Sequence, residues 1–152
     1  MIDVIQNCKI CNDDIILLLE PTSPYRIISD FQKIINLMED NNLKKVVSIS
    51  EAISSGYRFQ FFQSNSKNKQ IFPIAKEGFP TDLRRQDVKK TYFIDGSFYT
   101  SFASDFLNKP GFMEEGTGSI IGNLFSSFEI DSEDDLKLME AIFQHIGTPF
   151  DV

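Results

Sequence analysis

With 152 residues, 41% of them hydrophobic, the chain is long enough for one domain with a sizeable core. A net charge of −7 and a pI near 4.7 argue against a nucleic-acid groove, which needs a broad basic face. No apolar run approaches the roughly 20 residues of a membrane span, and Met1-Ile2-Asp3-Val4 lacks the basic start of a secretory signal, so a cytoplasmic protein without membrane contact is expected.

Residues 2–11 read as the tail of an amphipathic helix, with Ile2, Ile5 and Cys8 along one face. Cys8 and Cys11 have the C-x-x-C spacing of half a zinc site or a redox pair. The chain has no other cysteine and only His145 as histidine, and the pair precedes a strand instead of opening a helix after one. Two small buried thiols are the expectation. After the turn Asn12-Asp13-Asp14, the apolar run Ile15–Leu19 fits a strand buried on both faces, as in a parallel sheet flanked by helices. It runs into Glu20-Pro21-Thr22-Ser23-Pro24-Tyr25-Arg26, at the carboxyl edge where such sheets bind ligands. The prolines fix that turn, and Thr22, Ser23 and Arg26 offer donors suited to an anion.

Ser29 or Asp30 can cap a second helix with the stripe Phe31, Ile34, Ile35 and Met38, ended by Asn41-Asn42. Val46–Ser50 follows as a strand, and strand, helix, strand at this spacing predicts a right-handed parallel crossover. Next, Tyr57, Phe59 and Phe61 alternate with polar residues, a polar turn covers residues 65–69, and a short run spans Gln70–Ile74: a hairpin. Its aromatics either meet a partner surface or fold back on their own domain. Phe93–Ser101 reads as a strand in which Gly96 marks a bulge or a close backbone approach, and a loop follows at Asn108-Lys109-Pro110-Gly111. The last helix starts at Ser132, with a capping-box-like Asp135 and the stripe Leu136, Met139, Phe143 and Ile146.

Glu129-Ile130-Asp131 is the sharpest local arrangement. In extended backbone, residues two apart share a side, so the carboxylates face together and Ile130 points to the core. Paired hard oxygens suit Mg²⁺; the alternative is acidic charge favouring the helix N-terminus, which accounts for Glu133, Asp134 and Asp135. Arg84 and Arg85 are either a solvated pair or a small-anion site. Tyr99, on a strand, reads as core, and His145 in the last helical turn reads as a favourable partner of the helix dipole.

Four segments together resemble one family, the acylneuraminate cytidylyltransferases (CMP-sialic acid synthetases). Leu18–Arg26 resembles their L-Q-P-T-S-P-L-R motif, and Arg84-Arg85-Gln86-Asp87 their R-R-Q-D segment. Asp95-Gly96-Ser97-Phe98-Tyr99 is similar to their N-G-[AS]-[IF]-Y strand, and Ile130–Leu136 to their I-D-[ST]-x-x-D-[LF] signature. The resemblance implies an α/β fold: a Rossmann-like nucleotidyltransferase three-layer sandwich, with residues 54–91 inserted as a projecting hairpin arm for a homodimer. It implies transfer of CMP from CTP to an acidic nine-carbon sugar, sialic or legionaminic, with Mg²⁺ as cofactor and pyrophosphate as product. Glu129 and Asp131 would hold the metal. Arg85 and Gln86 would bind phosphate or substrate, Arg85 across the dimer, and Glu20, Tyr99 and Phe112 would touch the sugar. Glu20 stands where the family has glutamine, Glu129 where it commonly has aspartate, and Asp95 where it has asparagine. A carboxylate at Glu20 would repel an acid sugar, which points to an altered sugar contact or to a different sugar. The family's glycine-rich CTP loop has no counterpart here, so the chain is expected to be the C-terminal two-thirds of such an enzyme, inactive alone. The alternative is a non-catalytic dimerising or sugar-binding remnant.

Overall fold

The computed structural model describes residues 1–52, 59–65, 67, 69–81 and 84–147. The chain divides into two compact units, one made of residues 1–50 and 94–152, the other of Glu51–Phe93. The first is mixed α/β. Its elements are α1 (Ile2–Asn7), β1 (Ile15–Leu18), α2 (Ile28–Asn41), β2 (Lys45–Glu51), β5 (Tyr92–Phe102), α3 (Ala103–Asn108), β6 (Gly118–Ile121) and α4 (Glu133–Ile146), with β2 and β5 each running on into the second unit. Among the described residues no helix is long and apolar enough to cross a membrane.

The four strands form one mixed sheet in the order β1-β5-β2-β6. β1 pairs antiparallel with β5, Ile15 opposite Phe102 and Leu18 opposite Tyr99, and β2 pairs parallel with β6. Phe102 N donates to Lys44 O at one end of β5 and Ala52 N to Thr91 O at the other, so β5 is antiparallel to β2 as well. β1 and β2, both antiparallel to β5, therefore run parallel to each other as a crossover requires, with β5 between them. The eleven-residue β5 is long enough to offer backbone partners to both at once.

Alternation along the strands sends side chains to two cores. Ile16, Leu18, Val47 and Ile49 pack with Ile5, Ala103, Phe106 and Phe112 on the α1/α3 face. Ile15, Leu17, Val46, Phe98 and Ile120 pack with Ile34 and Met38 of α2 on the other. β1 was expected to be fully buried. It serves both faces but stays half-buried along its length, because only one of its sides has a paired strand.

Three helix readings change. α2 begins at Ile28 without a side-chain cap, because Asp30 is buried inside its first turn and pairs with Lys33 at 2.6 Å. Cys8 is the C-cap of α1, and both thiols are exposed instead of buried. α4 has the expected capping box of Ser132 and Asp135, but its buried residues are Met139 and Ile142, while Leu136 and Ile146 face outward. Tyr25 sets that rotation: its ring stacks on Phe143 at 5.9 Å and meets Phe125 at 5.5 Å, drawing this side of α4 onto the proline-bracketed turn.

In the second unit, β3 (Phe61–Gln63) and β4 (Ile71–Pro73) form the antiparallel hairpin, Phe62 opposite Phe72. Phe61 stacks on Phe79 at 5.5 Å, while Phe62, Ile71 and Phe72 are exposed. Tyr57, expected to begin this hairpin, lies outside the described residues.

Candidate functional site

The turn after β1 is tied down from three directions. Ser23 N donates to Glu20 O at 3.1 Å, and Ile130 N donates to Thr22 O at 2.8 Å. Arg26 Nε donates to Ser97 O at 2.7 Å, and its Nη2 donates to Glu20 O. The Glu129–Asp131 segment is thereby held against the Thr22 turn, and the turn against β5. Ile130 packs with Tyr25, Met139 and Ile142, so the two carboxylates flanking it lie off the core: Glu129 half-buried, Asp131 exposed.

All of this converges on Gly96. Its φ of +71° is left-handed, a conformation glycine adopts at little cost. A methyl there would stand 2.5 Å from Glu129 Oε1, 2.6 Å from Ser23 Oγ and 3.0 Å from Glu20 Oε2. The bare α-carbon is what lets three segments, far apart in sequence, bring two carboxylates and a hydroxyl to one place.

Behind Gly96, Asp95 is fully buried and makes the turn rigid. Ser48 Oγ donates to Asp95 Oδ1, Ser50 Oγ donates to Oδ2 at 2.9 Å, and Ser97 N donates to Oδ1 at 3.1 Å. Ser23 Oγ reaches the Asp95 carbonyl at 3.4 Å. Gly122 leaves space for this carboxylate, since a methyl at that position would lie 2.8 Å from Asp95 Oδ2. Sequence reasoning passed over this cage. Its one trace in the sequence is the Ser48-Ile49-Ser50 alternation, which puts two hydroxyls on one side of a strand.

The site is crowded with acid. Partial burial pushes the Glu129 carboxyl above its usual range, and Asp131, Glu20 and Asp95 push it further. The same Glu20, Glu129 and Asp95 charges add to burial in raising the Tyr99 phenol. Burial lowers the Arg26 guanidinium, while Glu20 and Asp95 pull it back up.

The structure therefore brings Glu20, Thr22, Ser23, Arg26, Tyr99, Glu129 and Asp131 into one neighbourhood. Ser23 is fully buried, and its hydroxyl already serves the backbone. Tyr99 meets Phe112 with ring centroids 5.8 Å apart, but Phe112 is buried against Phe106 in the α1/α3 core. Arg85 and Gln86 belong to a single 3₁₀ turn, Arg85–Asp87, of the second unit, where Arg84 and Gln86 are exposed. Among the described residues no group of three or more His, Cys, Asp or Glu is arranged to hold a metal ion.

Two cavities lie elsewhere in the first unit. One of about 660 Å³ is lined by Val4, Ile5, Ile10 and Ile15–Leu17. The other, about 160 Å³, lies beside Lys45 and Glu114. Lys45 is a buried cation satisfied by Lys109 O at 2.9 Å and Glu114 at 3.3 Å; hydrogen bonds from Lys109 and Lys45 hold the Glu114 carboxyl below its usual range.

No protein-family model matches the chain, and comparison with characterised proteins finds no significant relative.

Proposed function

We propose that the first unit carries the sugar and metal side of a cytidylyltransfer site, at which CMP passes from CTP to an acidic nine-carbon sugar of the sialic or legionaminic type. The observation that carries this reading is the meeting of three of the four family-like segments at Gly96: the Glu20–Arg26 turn, the Asp95–Tyr99 stretch of β5 and the Glu129–Asp131 segment. The resemblance to the acylneuraminate cytidylyltransferases supplies the chemistry. The sugar's anomeric oxygen bonds to the α-phosphorus of CTP, the bond to the pyrophosphate oxygen breaks, and the hydroxyl proton departs.

Glu129 and Asp131 would hold Mg²⁺, which takes one or two carboxylates and fills its other positions with water and phosphate oxygens. The donor set fits: two hard acids electrostatically coupled across one core-facing isoleucine, one of them with a pKa raised first by partial burial and then by neighbouring negative charge that a cation would relieve. When bound, the ion supplies positive charge to the phosphates. Arg26 already uses Nε and Nη2 on backbone carbonyls, so its part is to fix the turn and lend positive charge beside Glu20. Glu20 suits a hydroxyl or amino group of the sugar better than its carboxylate. Arg85 and Gln86 stay with this reading as phosphate contacts by motif alone.

The test is titration of the 152-residue chain with sialic and legionaminic acids, with and without Mg²⁺ and CTP, followed by calorimetry and thermal melting. A Mg²⁺-dependent stabilisation by an acid sugar, lost in Glu129→Ala/Asp131→Ala with an unchanged circular dichroism spectrum, is expected. Identical melting under every ligand combination ends the proposal. The exposed Phe62, Ile71 and Phe72 favour a second reading, a dimerising remnant without catalysis. A stable dimer that never responds to CTP or sugar would establish it in place of the first.

A further inference from the structure

We propose that the Cys8–Cys11 turn is half of a tetrahedral thiolate site for Zn²⁺, completed by the same turn of a second copy of this chain. Both thiols are free and exposed. The turn that carries them is held at both ends. Cys8 N donates to Val4 O at 2.9 Å, closing α1. Lys9, at φ +55°, reverses the chain. Cys11 N then donates to Asp14 Oδ2 at 2.7 Å, and its carbonyl accepts from Asp14 N at 3.1 Å. A fixed reversal between two cysteines three apart is how C-x-x-C turns chelate one soft ion.

The location discriminates between the two chemistries open to such a pair. A dithiol working in redox exchange gains its thiolate from a helix N-terminus, where the dipole is positive. Cys8 sits at the opposite end of α1, among orphan carbonyls, so the fold gives it no such help. A metal ion brings its own positive charge and deprotonates the thiols itself.

Two thiolates leave a tetrahedral ion two ligands short. No group of three or more metal-binding side chains forms within one chain among the described residues. A second copy of the same turn would supply the two missing thiolates, and the surface beside it is apolar and uncovered. Met1, Ile2 and Val4 of α1 are exposed, and the cavity of about 660 Å³ lined by Val4, Ile5 and Ile10 opens next to them. Two copies apposed here would cover apolar surface and pool four sulfurs around one ion.

The test uses the reduced, metal-free full chain, titrated with Co²⁺ as the spectroscopic probe and then with Zn²⁺ in competition. Saturation at one ion per two chains is expected, with the strong sulfur-to-cobalt charge-transfer band and visible bands of a tetrahedral tetrathiolate, displaced by Zn²⁺ and erased by a chelator. Cys8→Ser and Cys11→Ser should each lose that spectrum while the apo melting temperature stays put, because neither side chain is part of the core. Saturation at one ion per chain would overturn the shared site. So would binding that survives both substitutions, an octahedral cobalt spectrum, or no uptake by the reduced protein.

Discussion

Around Gly96 the first unit buries a carboxylate and satisfies it with two hydroxyls and a backbone N–H, whereas the β3–β4 hairpin of the second unit leaves Phe62 65% and Phe72 51% exposed on strands of three residues each. The first arrangement is specified by internal hydrogen bonds, so its sensitivity is to anything that orphans a polar group. The second has little interior to lose. Phe62 stands opposite Phe72 in the strand register, and Phe61 finds Phe79, but the exposed apolar area is open to cover by something else. Substitutions in the first region should therefore be read in stability, and those in the second in association.

The largest expected effect is at Asp95. Asp95→Ala leaves Ser97 N and two serine hydroxyls without their acceptor, and a loss of about 3 kcal/mol is expected by chemical denaturation. Asp95→Asn keeps an acceptor for Ser48 and Ser97 and should stay within about 1 kcal/mol of the parent. If both variants melt alike, the cage does not hold the turn. Gly96→Ala comes next. Left-handed strain and a methyl 2.5 Å from Glu129 Oε1 should together cost about 2 kcal/mol and displace Glu129. A melting curve unchanged by Gly96→Ala would mean that the carboxylates do not crowd this α-carbon.

The same contrast explains what was legible in the sequence. Capping depends on residues three apart, so Ser132 and Asp135 announced the start of α4. The polar turn before the run at 70–74 announced the hairpin, but its first strand is Phe61–Gln63, which begins only where the expected 57–61 alternation ends. That Ile130 turns to the core between Glu129 and Asp131 was readable in the same local way. Strand order is not local. Nothing near Ile15 or Val46 says that a strand from residues 92–102 will lie between them. β6, four residues with a glycine at its start, is too short for any period, and its partner β2 is some seventy residues away in the chain. The stripe on α4 held at Met139 and Phe143 and failed at Leu136 and Ile146, because the helix has apolar residues on more than one face and the position of Tyr25 chooses among them. Glu20 and Asp95 could join the acidic site only once β5 had been placed beside β1.

Charge sharpens the comparison further. The folded pKa of Glu129 lies above its usual 4.5, so its ionisation opposes folding as pH rises from 4.5 and reaches its full, constant cost once the pH has passed the raised folded value. Glu129→Gln should raise stability near neutral pH by about 0.5 kcal/mol, little because the group is partly solvated, and the gain should vanish once the pH falls below 4.5. Cation binding there should weaken on acidification through the same raised pKa, since proton and metal compete for one carboxylate. Asp135 works in the other direction. Its pKa is held below 3.8 first by Ser132, so its support for α4 is complete above that value and fades only as the pH falls through the lowered one. A neutral-pH gain for Glu129→Gln that persists at acid pH would show that the amide's added donor, not the loss of charge, is what stabilises the variant.

The smallest effect on stability is expected where the aromatics are most exposed. Phe62→Ser with Phe72→Ser removes a cross-strand pair that water already reaches, and the midpoint of unfolding should move by less than about 0.5 kcal/mol. Its informative readout is mass in solution. If the hairpin is covered by a second copy, the parent should sediment as a dimer at micromolar concentration and the double variant as a monomer, because removing two aromatic anchors from an interface costs far more than removing them from a solvated strand. A double variant that unfolds early instead would show that these rings pack within their own unit, and the contrast drawn between the two regions would then fail at the hairpin.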